Sequence, residues 1–375
     1  MLAREHIFRG IEHCAAGKLS AACECFSAAL THASGHAASG RIDDLLNEAL
    51  ADRTAHSEAR ICMGLALERL GRWEEAAELL ERGLVDCDGN ASAWLALGRS
   101  LGRTGRLTDA LRSLEHALSK EEHLAEGWSV RGNVLRDVGR LDDAAESFRR
   151  AIDSGADAEL HRYYLAACLG ETLDAAPRAF VESLFDEYSA DFDEHLVQQL
   201  AYRGHKRLLQ PLLESGRRFR RVLDLGCGTG LCGALIAPQA DVLLGVDVSA
   251  AMLSQAGSRD IYDELVHDDL NRFLAAQTRQ ADLIIAADVF TYVGALDDVF
   301  AHIRRLLTHE GIFAFTLERD DGHDFRLLPT LRYAHSEAHV RRLAAQHGFT
   351  VLDIASAGLR NDQAETLQAL YVLLQ

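Results

Sequence analysis

Two folds in one chain are what this sequence predicts: an all-α array of helix pairs first, then an α/β layer built on a mostly parallel sheet. Three observations carry the prediction. Glycines recur at Gly64, Gly98 and Gly132, and again at Gly71, Gly105 and Gly139, each 34 positions after the last. The stretch Arg221 to Pro238 reads R-V-L-D-L-G-C-G-T-G-L-C-G-A-L-I-A-P, an apolar run that breaks into a glycine turn and resumes as a helix. Beyond it, short apolar runs alternate with helical patterns, as in a sheet with crossover helices.

The chain has 375 residues, 48% of them apolar, so two separate cores are the natural division and burial is not limiting. The formal charge of -18 opposes the phosphate backbone and argues against a nucleic-acid substrate. No apolar run approaches the roughly 18 residues of a membrane span. The first residues, M-L-A-R-E-H-I-F-R-G, lack a continuous apolar segment with a cleavage site. A soluble, cytoplasmic protein without membrane contact is expected. Eight cysteines include no C-x-x-C pair and sit mostly within helical apolar patterns, so they are expected in the core and no metal site is expected.

In the first half, the segments following the second glycine series read G-R-W-E-E-A-A-E-L-L, G-R-L-T-D-A-L-R-S-L and G-R-L-D-D-A-A-E-S-F, with Ala76, Ala110 and Ala144 in register. This pattern resembles the tetratricopeptide repeat. The family's first-helix aromatic is matched by Trp94 and Trp128, while the preceding copy has Arg60 there, and the family's terminal proline is absent from every copy. An earlier copy spans Gly10 through Leu30, and an extra segment from His32 to about Ala55 is expected to form a loop or an added helix over Ile42 to Leu50. Ala158 to Gly170 is in phase with another first helix and is expected to cap the array. The resemblance implies a curved solenoid of about four repeats over residues 1–174, with a groove in which a peptide or protein would lie. It places Arg99, Asn133 and Arg136 on that groove, as partners for peptide backbone or a carboxylate, unless they are solvated surface residues.

Pro177 is expected to open a new helix, so residues 175–215 are expected to form a helical linker or lid and residues 216–375 the second domain. In the glycine turn, Gly226, Gly228 and Gly230 lack Cβ atoms and permit positive φ, letting a ligand lie against bare backbone. The spacing is not the G-x-G-x-x-G of dinucleotide-binding folds, and no Lys-Ser/Thr of a phosphate loop follows. L-D-x-G-x-G-x-G, with Asp224 two residues before the first glycine, instead resembles motif I of the class I S-adenosylmethionine-dependent methyltransferases. The next apolar run, V-L-L-G-V, ends in Asp247, where a carboxylate at a strand's C-terminal edge can accept both ribose hydroxyls.

The resemblance implies a Rossmann-like seven-stranded domain that binds S-adenosylmethionine and releases S-adenosylhomocysteine. It assigns the cofactor to Asp224, Gly226, Cys227, Gly228, Gly230, Asp247 and Val248, with Asp269 and the backbone of Leu270 at the adenine, Asp268 being second choice. Met252 would pack on the adenine face or belong to the core. F-D-E-Y-S-A-D-F-D-E-H-L resembles segments that fold over the cofactor in such enzymes, which puts Tyr188 and Phe192 over its methionine end; the alternative is aromatics docking a helix on the sheet.

A-D-L-I-I-A-A-D-V-F-T-Y-V-G is expected to be a buried strand delivering Asp288 and Tyr292 to the sulfonium. It lacks the Asn/Asp-Pro-Pro-Tyr of many amide and adenine N-methyltransferases. Its tyrosine stands one position later than in the lysine methyltransferases that it otherwise resembles. In R-Y-A-H-S and G-L-R-N-D, expected as loops at the active-site edge, Arg332, Tyr333 and Arg360, with His323, are candidates for substrate binding. Methyl transfer needs alignment above all, and a base only for a protonated nucleophile. The candidates are His335 and Asp288, with Tyr292 positioning the acceptor.

The whole chain resembles bacterial tetratricopeptide-repeat methyltransferases. The expected function is methylation of a peptide or protein recruited by the groove. The alternatives are a small-molecule methyltransferase whose repeats serve dimerisation or docking, and a cofactor-binding scaffold without turnover.

Overall fold

The computed structural model describes residues 2–16, 18–32, 53–188, 202–362 and 365–375. The helix anticipated over Ile42 to Leu50 and the residue Phe192 lie outside them. The chain divides into two compact units, Met1–His161 and Arg162–Gln375.

The first unit is built of antiparallel helix pairs: Leu2–Ala15 with Leu19–His32, Arg53–Arg69 with Trp73–Asp86, Ala91–Arg103 with Leu107–Lys120, and Ala125–Asp137 with Leu141–Asp153. The two glycine series have different jobs here. A Cβ on Gly64 would stand 2.6 Å from Leu80 Cγ, one on Gly98 2.6 Å from Leu114 Cγ, and one on Gly132 2.5 Å from the Phe148 ring. These glycines let the second helix of each pair close on the first. Gly71, Gly105 and Gly139 instead take φ of 72°, 78° and 83° at the turn between the helices. There the Arg72, Arg106 and Arg140 N–H groups reach back to the Leu67, Leu101 and Leu135 carbonyls at 3.0, 2.9 and 2.9 Å, closing each first helix in a Schellman motif. Ala76, Ala110 and Ala144 are fully buried in the facing helices.

Arg99, expected on the groove, is engaged by neighbouring carboxylates. It pairs with Glu68 at 2.6 Å and with Glu126, so one guanidinium links the first helices of three successive pairs. Burial pushes the Glu68 carboxyl up, and Arg99 opposes that shift. Arg136 pairs with Asp137 at 3.3 Å, and Asn133 is half-buried on the same helix.

The division between the two compact units falls within the helix Ala158–Leu169. Tyr163 is the reason: fully buried, it donates to the Leu331 carbonyl at 2.7 Å and packs on Phe180 and Tyr333, all residues of the second unit.

In the second unit, β1 (Val222–Leu225) lies at the centre of a parallel set with β2 (Leu243–Asp247), β3 (Glu264–His267), β4 (Ala281–Ala286) and β5 (Leu307–Arg319), in the order β3-β2-β1-β4-β5. β9 (Glu365–Leu374) adds antiparallel to β5 and carries β8 (Val351–Asp362) outside it, which completes the seven expected strands. Two further strands, β6 (Phe325–Leu327) and β7 (Tyr333–His335), were not anticipated. Since β9 occupies one edge of β5 through Glu318, β7 pairs with Glu318 and Arg319 on the other edge, continuing the place of β4 beyond its end. Y-A-H is therefore strand rather than loop, with Arg332 just before it, and Arg360 is also in a strand, its backbone pairing with Leu367. β1, β2 and most of β4 are buried along their length because helices cover both faces of the sheet.

Candidate functional site

Strands β1, β2, β3 and β4 all point their C-terminal ends at one cavity of about 410 Å³, the place where open α/β sheets bind ligands. After β1, Gly226, Gly228 and Gly230 take φ of 59°, 54° and 90°, so each of the three uses its freedom from Cβ. A Cβ on Gly226 would meet Val289 at 2.6 Å, whereas one on Gly228 would enter open space. Gly226, Cys227 and Gly228 line the cavity; Gly230 does not, and serves as the left-handed residue that starts the helix Leu231–Ile236.

Asp247 ends β2 with its side chain almost wholly buried. One oxygen accepts the Gly228 N–H and the other the Ser249 N–H, both at 2.8 Å. The carboxylate is thereby locked to the glycine turn, with lone pairs left over for a ligand's hydroxyls. Asp224, 1% exposed, accepts the Tyr262 hydroxyl at 2.7 Å. Burial, with Asp247 nearby, pushes its carboxyl up to about 7 despite that hydrogen bond. Tyr262 itself fits only because Gly233 and Gly245 lack Cβ atoms where its ring passes. Nothing in the local spacing announces this partner, which arrives from beyond the next helix.

Val248, Asp268, Asp269 and Leu270 line the cavity. Asp269 caps the helix Leu270–Ala276, accepting N–H groups from Asn271 and Arg272 at 3.0 and 3.2 Å. Met252 is fully buried and does not line the cavity, so of its two expected roles the core is the one that the structure assigns.

The helix Arg178–Tyr188 brings Val181, Leu184 and Phe185 to the wall. Asp186 accepts the Ser249 hydroxyl at 2.6 Å and ties this helix to the residue that also caps the helix Ala250–Gly257. The Phe185 ring meets Tyr292 edge-on at 5.6 Å. The aromatic that this helix brings to the cavity, among its described side chains, is Phe185; the side chain of Tyr188, like that of Arg360, lies outside them.

Asp288 and Tyr292 follow β4 and line the cavity. Asp288 sits at φ 61°, an unusual conformation for a non-glycine residue, with its N–H held by the Thr316 hydroxyl at 2.8 Å. The Ala176 N–H bonds the Tyr292 carbonyl at 3.0 Å and Ala175 bridges Val293, so the segment before the helix Arg178–Tyr188 straps this turn. Arg332 also lines the cavity, 3.6 Å from Glu318, a side chain only 2% exposed.

His335 is not placed to act as a base. It is fully buried in β7, its Nε2 2.9 Å from the Gly294 carbonyl and its ring stacked on Phe325, and burial pushes its pKa down to about 4. Tyr333 is likewise buried away from the cavity, and His323 is an exposed partner of Asp320 at 3.1 Å. Alternation within an unforeseen strand turns the first two inward. The cavity also recruits Arg178, Tyr202 and His205, which sequence reasoning missed. Among the described residues, no three His, Cys, Asp or Glu side chains are grouped to hold a metal ion.

A family model described as a methyltransferase domain matches residues 223–313. Models of the tetratricopeptide repeat match residues 57–100, 95–159 and 129–190. The malonyl-[acyl-carrier protein] O-methyltransferase of Enterobacter lignolyticus is 30% identical over 196 residues, which cover 51% of this chain and 72% of that protein. A tRNA1(Val) (adenine(37)-N6)-methyltransferase of Yersinia pseudotuberculosis is 31% identical over 136 residues, 29% of this chain and 54% of that one. Among solved structures, the N-methyltransferase NodS from Bradyrhizobium japonicum with S-adenosylhomocysteine aligns with 52% of this chain and 97% of its own, at 19% identity and a TM-score of 0.43.

Proposed function

We propose, from the premise that this chain belongs to the S-adenosylmethionine-dependent methyltransferases, that it methylates a group carried on a peptide or protein, which the helical repeats recruit. The observation that carries this reading is the union, in one chain, of a methyl-transfer cavity and four helix pairs of the tetratricopeptide type, a class of array that binds polypeptides along its surface. It agrees with the printed name of the Enterobacter relative, whose acceptor rides on a carrier protein. The charge of -18 disfavours a polyanionic substrate. Among the described residues, seven cysteines are not joined in disulfides. Among the described residues no helix is long and apolar enough to cross a membrane.

Within the cavity we assign the ribose to Asp247, the adenine to Asp268, Asp269 and Leu270, and the methionine end to the glycine turn beneath Phe185. S-adenosylmethionine supplies an electrophilic methyl on a sulfonium. The chain's own contribution is to hold it against bare backbone at Gly228 and to exclude water with the helix Arg178–Tyr188. It presents the acceptor beside Asp288, Tyr292 and Arg332.

To test the acceptor class, the full-length protein would be incubated with tritium-methyl S-adenosylmethionine and a cell extract, and the label followed into protein, RNA and small-molecule fractions. Label in the protein or peptide fraction supports the reading. Label confined to RNA or to small molecules overturns it.

A further inference from the structure

The start of the helix Gly204–Glu214, with Tyr202 just before it, brings to the cavity two rings that the assignment above leaves unused. Tyr202 and His205 both line it, each 4% exposed, stacked at 5.3 Å between centroids with 21° between their planes. Their placement is tightly built. The Arg203 N–H donates to the Leu359 carbonyl at 3.3 Å, and Gly204, between the two rings, has no room for a Cβ: Leu359 Cδ1 and Tyr202 Cε2 would each lie 2.7 Å away. Tyr202 shares a core with Leu283 and Ile285 of β4 and with Ala369 and Tyr371 of β9, and Ala287 packs on the same cluster. The pair thus shares the cavity wall with Ala287, Asp288 and Tyr292, which follow β4.

The acidic groups of the cavity are mostly occupied by the fold. Asp224 takes the Tyr262 hydroxyl, Asp247 takes two backbone N–H groups, and Asp269 caps a helix. An imidazole is the side chain whose proton exchange lies nearest neutrality.

We propose that His205 is the general base of methyl transfer, stacked in place by Tyr202, and that the acceptor is an O–H or N–H group at the β4 end of the cavity. The acceptor's lone pair forms the bond to the methyl carbon as the carbon–sulfur bond breaks, and that bond's electron pair stays on sulfur as the neutral thioether. The acceptor's proton passes to the imidazole, which later releases it to water. The proposal rests on the ribose assignment to Asp247 but not on whether the acceptor belongs to a protein.

The test compares two ligands by calorimetry on the full-length chain: S-adenosylhomocysteine, and sinefungin, which carries an amine where the transferable methyl stands. In His205→Phe, which keeps a ring to stack on Tyr202, S-adenosylhomocysteine affinity should stay within about twofold, while sinefungin should weaken by about tenfold, as for the loss of one hydrogen bond to a charged group. His205→Asn, too short to reach, should give the same split and serves if the Phe variant does not fold. Equal weakening of both ligands, or no change in either, overturns the assignment of His205. Failure of the ribose assignment reads out separately, as S-adenosylhomocysteine affinity that survives Asp247→Ala.

Discussion

Glycine does opposite work in the two units of this chain. In the repeats, Gly64, Gly98 and Gly132 have no Cβ because Leu80, Leu114 and Phe148 occupy the space it would fill. At Gly228 a Cβ would meet nothing within 4 Å, and the open space faces the cavity. A missing Cβ thus serves the protein's own packing in one place and a ligand's approach in the other. A glycine is informative about binding only when the protein itself does not fill its vacancy.

The strongest way to break that contrast is Asp247→Ala. It removes the carboxylate that anchors the Gly228 N–H and, on our assignment, the ribose. S-adenosylhomocysteine affinity should fall by about a hundredfold or more, as for the loss of two or more hydrogen bonds to a charged group; calorimetry showing unchanged affinity would sink the cofactor placement.

A second test uses pH. The Asp224 carboxyl, pushed up to about 7, is protonated in the folded chain and ionised in the unfolded chain between about pH 4 and pH 7. The folded state binds more protons there, so this group's contribution is fully present below that window and is lost as pH rises through it, at up to about 1.4 kcal/mol per unit. Thermal melts should show wild type losing stability relative to Asp224→Asn from pH 5 to pH 7, with the two curves parallel above that; parallel curves throughout would contradict it.

Gly132→Ala should destabilise the repeats by about 1–3 kcal/mol through overpacking against Phe148 while leaving S-adenosylhomocysteine affinity unchanged. A melt with no loss would show that the helix pair can open at no cost. Arg99→Ala leaves the buried Glu68 without its cation and should cost about 1–2 kcal/mol, again without effect on the ligand. The smallest and sharpest comparison sets Gly139→Ala beside Gly228→Ala. Both positions have positive φ and open space around the added methyl, so each should cost about 1 kcal/mol of strain. Only the second should weaken S-adenosylhomocysteine, by about tenfold or more, since a methyl there intrudes where the ligand meets backbone. Equal affinities in the two variants would remove the distinction between the two kinds of glycine.

The 34-residue period was legible because each helix pair repeats one local contact, Gly against Leu or Phe sixteen positions later, and repetition prints that contact on the chain. The glycine turn and Asp247 were legible for a related reason: strand, turn and carboxylate are close in sequence, and one strand-helix-strand unit brings them together. The ion pairs of Arg99 were not legible, because Glu68 and Glu126 come from the adjoining repeats. His335 and Tyr333 failed because a short strand beside β5 turned an expected loop inward. Arg178, Tyr202 and His205 left no local signature at all, since what makes them cavity residues is the side of the sheet on which their helices pack.

By itself, then, the sequence determined the helical repeats and the parallel sheet, written in short-range spacing that backbone geometry reads directly, and its resemblance to a known motif supplied the methyl donor. Tertiary structure alone decided which polar side chains face the cavity and which pair with one another. That choice depends on contacts between residues far apart in the chain, such as Tyr262 with Asp224 across 38 positions and Tyr163 with Leu331 across 168, and no local period records them.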